Sequence, residues 1–450
     1  MNPEETQKFV RHWLLLLGAA CVWFLWDSRY VRNIWFMAMA GMALVCAILF
    51  FLTRKLKQGF VEKIPSPKSE NGIWIAFSLV ALALTVLFFN LKFHLFSYGS
   101  GRFAFAVGFS GIFALLLSRK SEPSPYIAFG KCLLLFGVLY RVAAFVPEIQ
   151  SGPFALGWSE GSRFYNASLF ASESIYGSRL PLPVLHPSRY LMQALPFFVG
   201  IRSILFHRIW QVVLWLGMTL WGSWLMAKRF SHSKKVSLPW LTALLFLFFF
   251  QGAVYYHLMV CVVLVLLGYK KDKPLRTLIF VLLASVWAGI SRVNWMPVSG
   301  LLAVALYLLD TPFDGKKWVK YLVWPIVWVI GGFALAYLAK QGYIAISNED
   351  PALFDSAFSS ALLWRRLWPN ATFFLGIVPA ILLVMLPGAA LIWLKFRDKS
   401  LPALHWLQWL GLAGILGVFF AGGLVVSVKI GGGGDLHNLD GFLVFWALIV

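Results

Sequence analysis

Ile34-Trp-Phe-Met-Ala-Met-Ala-Gly-Met-Ala-Leu-Val-Cys-Ala-Ile-Leu-Phe-Phe-Leu-Thr53 runs for 20 residues without a charge and stops on Arg54-Lys55-Leu-Lys57. A helix of about 20 residues, rising 1.5 Å per residue, covers the roughly 30 Å of hydrocarbon in a bilayer. Apolar on every face, such a helix has no side to show to water, so it reads as a membrane span closed by a basic stop. Composition extends this reading to the whole chain. Of 450 residues 60% are apolar and only 13% charged, and the mean hydropathy is +0.77. A soluble domain carries about 25% charged residues, so lipid must solvate most of this surface. The fold class is an all-α polytopic membrane protein.

Working outward, apolar runs of the same kind fall at 11–26, 73–93, 103–117, 126–146, 205–227, 238–252, 255–269, 276–290, 295–309, 318–340, 373–394, 404–428 and from 441 onward. With 34–53 they predict about thirteen or fourteen transmembrane helices. The stretches 238–269 and 276–309 have almost no internal loop, yet each must hold two helices for the chain to stay in register with the membrane. The last run is still apolar at Val450, so either the chain continues past that residue or the last helix is incomplete. Gly18-Ala-Ala-Cys21 has the outline of a lipoprotein cleavage site, but the apolar run continues through Trp26, so the first span is expected to be retained.

The net charge of +21 does not point to nucleic acid, because the basic residues sit in short clusters between apolar runs and form no arm or domain. Their placement instead gives an orientation. Arg54/Lys55/Lys57, Lys228/Arg229/Lys234/Lys235 and Lys270/Lys271/Lys273/Arg276 all fall on one set of alternate connections, which the positive-inside rule assigns to the cytoplasm together with the N-terminus. Cys21, Cys46, Cys132 and Cys261 lie inside spans, without ligand spacing, and read as small core hydrophobes.

On the opposite, external set two connections exceed what a turn needs, 147–204 and 341–372. The first holds Pro147-Glu148, Gly157-Trp-Ser-Glu160-Gly-Ser-Arg163 and His186-Pro-Ser-Arg189, and 191–204 reads as an interfacial or re-entrant helix. The second holds Asn348-Glu-Asp350 and Trp364-Arg-Arg-Leu-Trp368. Charges at membrane depth cost about 2.5–3.5 kcal/mol each on insertion scales, so polar clusters gathered on one face mark a working surface.

Glu160 is a solvated loop carboxylate, a general base toward an acceptor hydroxyl, or a metal ligand, with Glu148 and Glu173 next in line. Arg292 stands in a loop of about five residues between apolar runs, as a snorkelling side chain or a bidentate phosphate clamp. Arg202, His207 and Arg208 carry the same ambiguity. Lys429 followed by four glycines offers bare amides to a ligand, as in anion-binding nests, without the GK[ST] of a nucleotide loop. Asp435 and His437 are weak metal candidates, and Asn438 or Asp440 is expected to cap the final span. No cofactor is certain, and a divalent metal is the one considered. Two sequons, Asn166-Ala-Ser168 and Asn370-Ala-Thr372, are short enough to arise by chance.

This layout resembles the polytopic glycosyltransferases of the GT-C fold class, which use lipid-phosphate-linked sugars. The resemblance rests on Ala144-Phe-Val-Pro-Glu148 through Gly157-Trp-Ser-Glu160 as the long external loop, on 191–204 as the interfacial helix, and on Ser427-Val-Lys429-Ile-Gly-Gly-Gly-Gly with Leu436-His-Asn-Leu-Asp440 before a late span. It covers roughly 126–450, leaving 1–72 as an N-terminal hairpin and linker and 73–125 as an additional hairpin. It implies inverting transfer of a sugar from a polyprenyl-phosphate donor to a lipid or glycan acceptor at the external face of the cytoplasmic membrane. Glu160 would be the base, with Arg163, His186, Arg189, Arg292, Lys429, His437 and Asn438 binding substrate or phosphate. A lipid-linked oligosaccharide polymerase or ligase, or a flippase, shares much of the layout.

Overall fold

The computed structural model describes residues 3–30, 33–55, 69–90, 97–120, 122, 124–152, 160–230, 237–251, 254–313, 315–355, 361–371, 373–400, 404–429 and 436–450, without the side chains of Pro3, Arg54, Lys55, Asn90, Glu160, Gln251 and Asp355. Every regular element among the described residues is helical. Among the described residues ten helices are long and apolar enough to cross a membrane, so the chain is an integral multi-pass membrane protein. The helices at 238–250, 256–268, 274–289 and 437–449 are apolar but shorter. At 13 to 16 residues they extend only about 20–24 Å, so composition anticipated their place but not their span.

The described chain packs as two compact units, Met1–Gln150 and Ser151–Val450. The first consists of α1 (Pro3–Asp27), α2 (Ile34–Lys55), α3 (Glu70–Asn90), α4 (Gly99–Ser118) and α5 (Pro125–Ala143). Polar side chains brace these helices across the unit. Gln7 Nε2 and Arg11 both donate to the Thr53 carbonyl, at 2.7 and 2.9 Å, and Ser100 Oγ donates to Asp27 Oδ2 at 2.6 Å. Trp13 Nε1 donates to the Val107 carbonyl at 2.9 Å. Cys21, Cys46 and Cys132 are buried in this core, as free thiols. Packing places α5 with α1, α3 and α4, so the helix expected to open the core at residue 126 belongs with the first unit.

The second unit carries three short helices before its spans: α6 (Glu160–Ser168), α7 (Ser172–Tyr176) and α8 (Pro187–Phe198). There follow α9 (Ile204–Phe230), α10 (Leu238–Gln251), α11 (Tyr256–Gly268), α12 (Pro274–Gly289), α13 (Val298–Asp310), α14 (Trp318–Ser347), α15 (Ile377–Arg397), α16 (Trp406–Lys429) and α17 (Asp440–Ile449). A helix is present where one was expected at 191–204: α8, shifted to Pro187–Phe198. Proline is at ease in the first helical turn, where its missing N–H has no partner to lose.

Close backbone approach holds α12, α13 and α14 together. A Cβ on Gly289 would stand 2.1 Å from the Ala336 carbonyl oxygen, and one on Gly300 2.7 Å from that of Trp328. At one end of the unit Arg229 pairs with Asp310 and lies 4.8 Å from the Tyr269 ring, bringing together the ends of α9, α11 and α13. The helix pairs required within 238–269 and 276–309 are therefore present, and each returns the chain to the same end.

Candidate functional site

The opposite end of the second unit is built from segments far apart in sequence. The loop before α8 is tied down on two sides. Leu182 N donates to the Ser347 carbonyl at 2.8 Å, and the Tyr343 hydroxyl to the Pro183 carbonyl at 2.7 Å, which fixes the loop to the end of α14. Ser188 N donates to the Ile290 carbonyl at 3.0 Å, and Ser188 and Ser291 share a hydroxyl hydrogen bond of 2.7 Å, which fixes it to the α12–α13 turn. Between these ties His186 takes a left-handed backbone conformation, φ 53° and ψ 51°. A non-glycine residue there costs about 1–3 kcal/mol, and such strain persists where the surroundings over-determine it.

A cavity of about 320 Å³ opens at this end. Its walls are mainly apolar, from Val184, Leu185, Tyr343, Phe354, Val425 and Val426. Its polar groups are His186, Arg292, Asn294, Lys340, Lys429, His437 and Asn438. The combination of a hydrocarbon-lined space and converging cations suits an amphiphile with an anionic head.

Arg292 is fixed from behind. One guanidinium nitrogen donates to Asp440 Oδ2 at 3.0 Å and to the His437 carbonyl at 3.1 Å. Asp440 is fully buried and also accepts from Trp295 Nε1 at 2.8 Å and from Gly441 N at 2.7 Å. Arg292 and Arg189 both lie against the ring of Tyr255, at 5.0 and 5.2 Å from its centroid. Arg163, on α6, feels this cluster: burial first, then the neighbouring Arg189, lowers its guanidinium from its usual range. His186 is held well below the usual histidine range by burial and then by Arg292 and Arg189, against a backbone hydrogen bond with Ser291 that pulls the other way. A neutral imidazole therefore stands among guanidiniums at neutral pH.

The structure thus brings His186, Arg292, Lys429, His437 and Asn438 to one cavity, with Arg189 and Arg163 beside it. Glu160 is the first residue of α6, which packs on α8, while its side chain lies outside the described residues. Asp435 and the four glycines after Ile430 also lie outside them. Glu148 belongs to the first unit, in a turn after α5, and Glu173 is exposed on α7. Arg202 and His207 do not line the cavity. Arg202 donates to the Ser174 carbonyl at 2.6 Å, and His207 lies 3.9 Å from the Phe197 ring with Nε2 at 3.0 Å from the Ile201 carbonyl.

The expected capping role at the final span is corrected: neither Asn438 nor Asp440 caps α17. Leu439 holds that position, and Asp440 is taken up by Arg292 and Trp295 because a buried carboxylate needs a cation more than a helix end needs a cap. Three residues escaped sequence reading. Lys340 and Tyr343, three apart on α14, face the cavity because the helix continues to Ser347, beyond the expected end at 340. His257, adjoining Tyr255-Tyr256, was hidden inside an apolar run. Among the described residues no group of three or more His, Cys, Asp or Glu side chains could hold a metal ion.

No protein family, curated protein or solved structure matches the chain.

Proposed function

We propose that this membrane protein transfers a sugar, with inversion, from a polyprenyl-phosphate donor to a lipid or glycan acceptor at the external face of the cytoplasmic membrane. The observation that carries the reading is the cavity where Arg292, Lys340 and Lys429 meet an apolar lining. A prenyl chain would lie along Val184, Leu185, Val425 and Val426, and its phosphate would lie beside the cations. In the transfer, the acceptor oxygen bonds to the anomeric carbon as the bond from that carbon to the phosphate oxygen breaks. The electron pair leaves with the phosphate, whose growing charge Arg292 and Lys429 stabilise in a site of low dielectric constant. Glu160, at the start of α6, takes the acceptor hydroxyl proton.

In this reading the cavity end is external, the end with Arg229, Lys270 and Lys271 is cytoplasmic, and so is the N-terminus. The working core is the second unit, Ser151–Val450, and the helix from Pro125 stays with the first unit alongside the hairpins 1–72 and 73–125. The test uses purified protein in liposomes with a labelled polyprenyl-phosphate sugar. Label in an acceptor product supports transfer, whereas movement of intact donor across the bilayer supports a flippase. Transfer only from a diphosphate carrier supports a polymerase or ligase. Glu160→Gln is expected to abolish transfer while leaving the amount of folded protein unchanged, and full activity in that variant removes Glu160 as the base.

A further inference from the structure

Behind the cavity wall lies a second feature that the sugar-transfer reading does not use. His257, on the first turn of α11, is fully buried, and neither of its ring nitrogens has a hydrogen-bonding partner among the described residues. Its ring centroid is 6.2 Å from that of His186, whose Nδ1 is also buried and without a partner. The Nε atoms of Arg189 and Arg292, the guanidiniums that lie against Tyr255, are in the same condition. A buried polar atom left unsatisfied costs about 1–3 kcal/mol, so a concentration of them beside one cavity is expensive unless a ligand satisfies them. The left-handed backbone of His186 adds to that cost and keeps its ring at the cavity.

We propose that the His186–His257 pair is the proton-carrying part of the anion site, and that a phosphate group entering beside Arg292 and Arg189 brings a proton onto His186. The inference rests on the phosphate-binding half of the reading above, not on sugar transfer. Its reason is charge balance. The charged and titratable groups around His186 are Arg189 on α8, Arg292 on the α12–α13 turn, His257 on α11 with Tyr255 and Tyr256 against its ring, His437 before α17, and Tyr343 on α14 across the cavity. Lys340 and Lys429 share its cavity, and Asp440 lies behind Arg292. Without an anion, burial together with this surplus of positive charge keeps the imidazole neutral. A phosphate dianion offsets the guanidiniums and accepts a hydrogen bond from imidazolium, so the protonated form becomes the favoured one. His257 then accepts from or donates to the newly ordered groups in place of having no partner. By linkage, binding and proton uptake must favour one another.

The test is calorimetric titration of the full chain in lipid nanodiscs with farnesyl phosphate, near pH 7, in two buffers of different ionisation enthalpy. Wild type is expected to take up a substantial fraction of a proton per phosphate bound, and its affinity is expected to rise several-fold per pH unit on acidification toward about pH 6. His186→Gln, which keeps a polar side chain of similar reach, should bind more weakly and with no dependence of the apparent enthalpy on the buffer. His257→Gln should reduce uptake without abolishing binding. Binding with the same enthalpy in both buffers, or unchanged uptake in His186→Gln, overturns the inference, as does failure of wild type to bind. Binding with uptake but no transfer of labelled sugar leaves it standing and removes the transferase reading alone.

Discussion

The two units have the same apolar character yet use their polar residues in opposite ways. In Met1–Gln150, the described polar side chains named above are cross-braces: Gln7 and Arg11 converge on the Thr53 carbonyl, and Ser100 holds Asp27. In Ser151–Val450, polar side chains at one end of the helices turn toward a shared cavity, and His186 and His257 keep ring nitrogens without a hydrogen-bonding partner among the described residues. Polar groups in a membrane bundle are costly, so two histidine rings with unsatisfied nitrogens gathered at one cavity point to a ligand there. The difference supports the proposal that the second unit holds the working site.

Substitutions can break this contrast, and the largest effect is expected at Arg292. Arg292→Ala leaves fully buried Asp440 without its cation, which should destabilise the second unit by about 3–5 kcal/mol in thermal or denaturant unfolding. It should also remove phosphate binding, and a variant that unfolds like wild type would show that Arg292 is only an interfacial decoration. Lys429→Ala should separate function from stability. Transfer is expected to fall by about 10²–10³-fold, as on losing one charge-stabilising donor, with the melting temperature unmoved.

Ser100→Ala is the converse case. Loss of its hydrogen bond to Asp27 should cost about 1.5–3 kcal/mol while transfer per folded molecule stays at the wild-type rate. A fall in that rate would mean that the first unit takes part in catalysis. The smallest effect is on pH dependence. Because His186 is depressed in the folded state, the unfolded chain binds its proton first, at about pH 6.5. Stability from this residue is therefore complete above about pH 6.5 and is lost as pH falls toward the folded value, by at most about 1.4 kcal/mol per pH unit. Melting temperatures of the ligand-free protein followed downward from pH 7.5 should decline less steeply in His186→Gln than in wild type, and parallel curves would count against this titration.

Hydropathy alone determined that the chain is helical and membrane-embedded, and where each apolar helix lies, because about 30 Å of hydrocarbon imposes one length and one composition on whatever crosses it. Short polar interruptions such as Ser291-Arg292-Val293-Asn294 and Lys429 were legible as candidates for the same reason: their cost at that depth stands out against an apolar background. Which of them meet was not legible. Arg202 and His207 have the same residue types and setting as Arg292 and His186 but serve local packing, while Lys340, His257 and Asp440 gained their places only from helix length, helix ends and neighbours. A cavity is defined by the distances between residues 100 or more positions apart, such as Arg292 and His437 or Ser188 and Ser291. No one-dimensional pattern of hydrophobicity encodes those distances, and tertiary packing of the helices sets them.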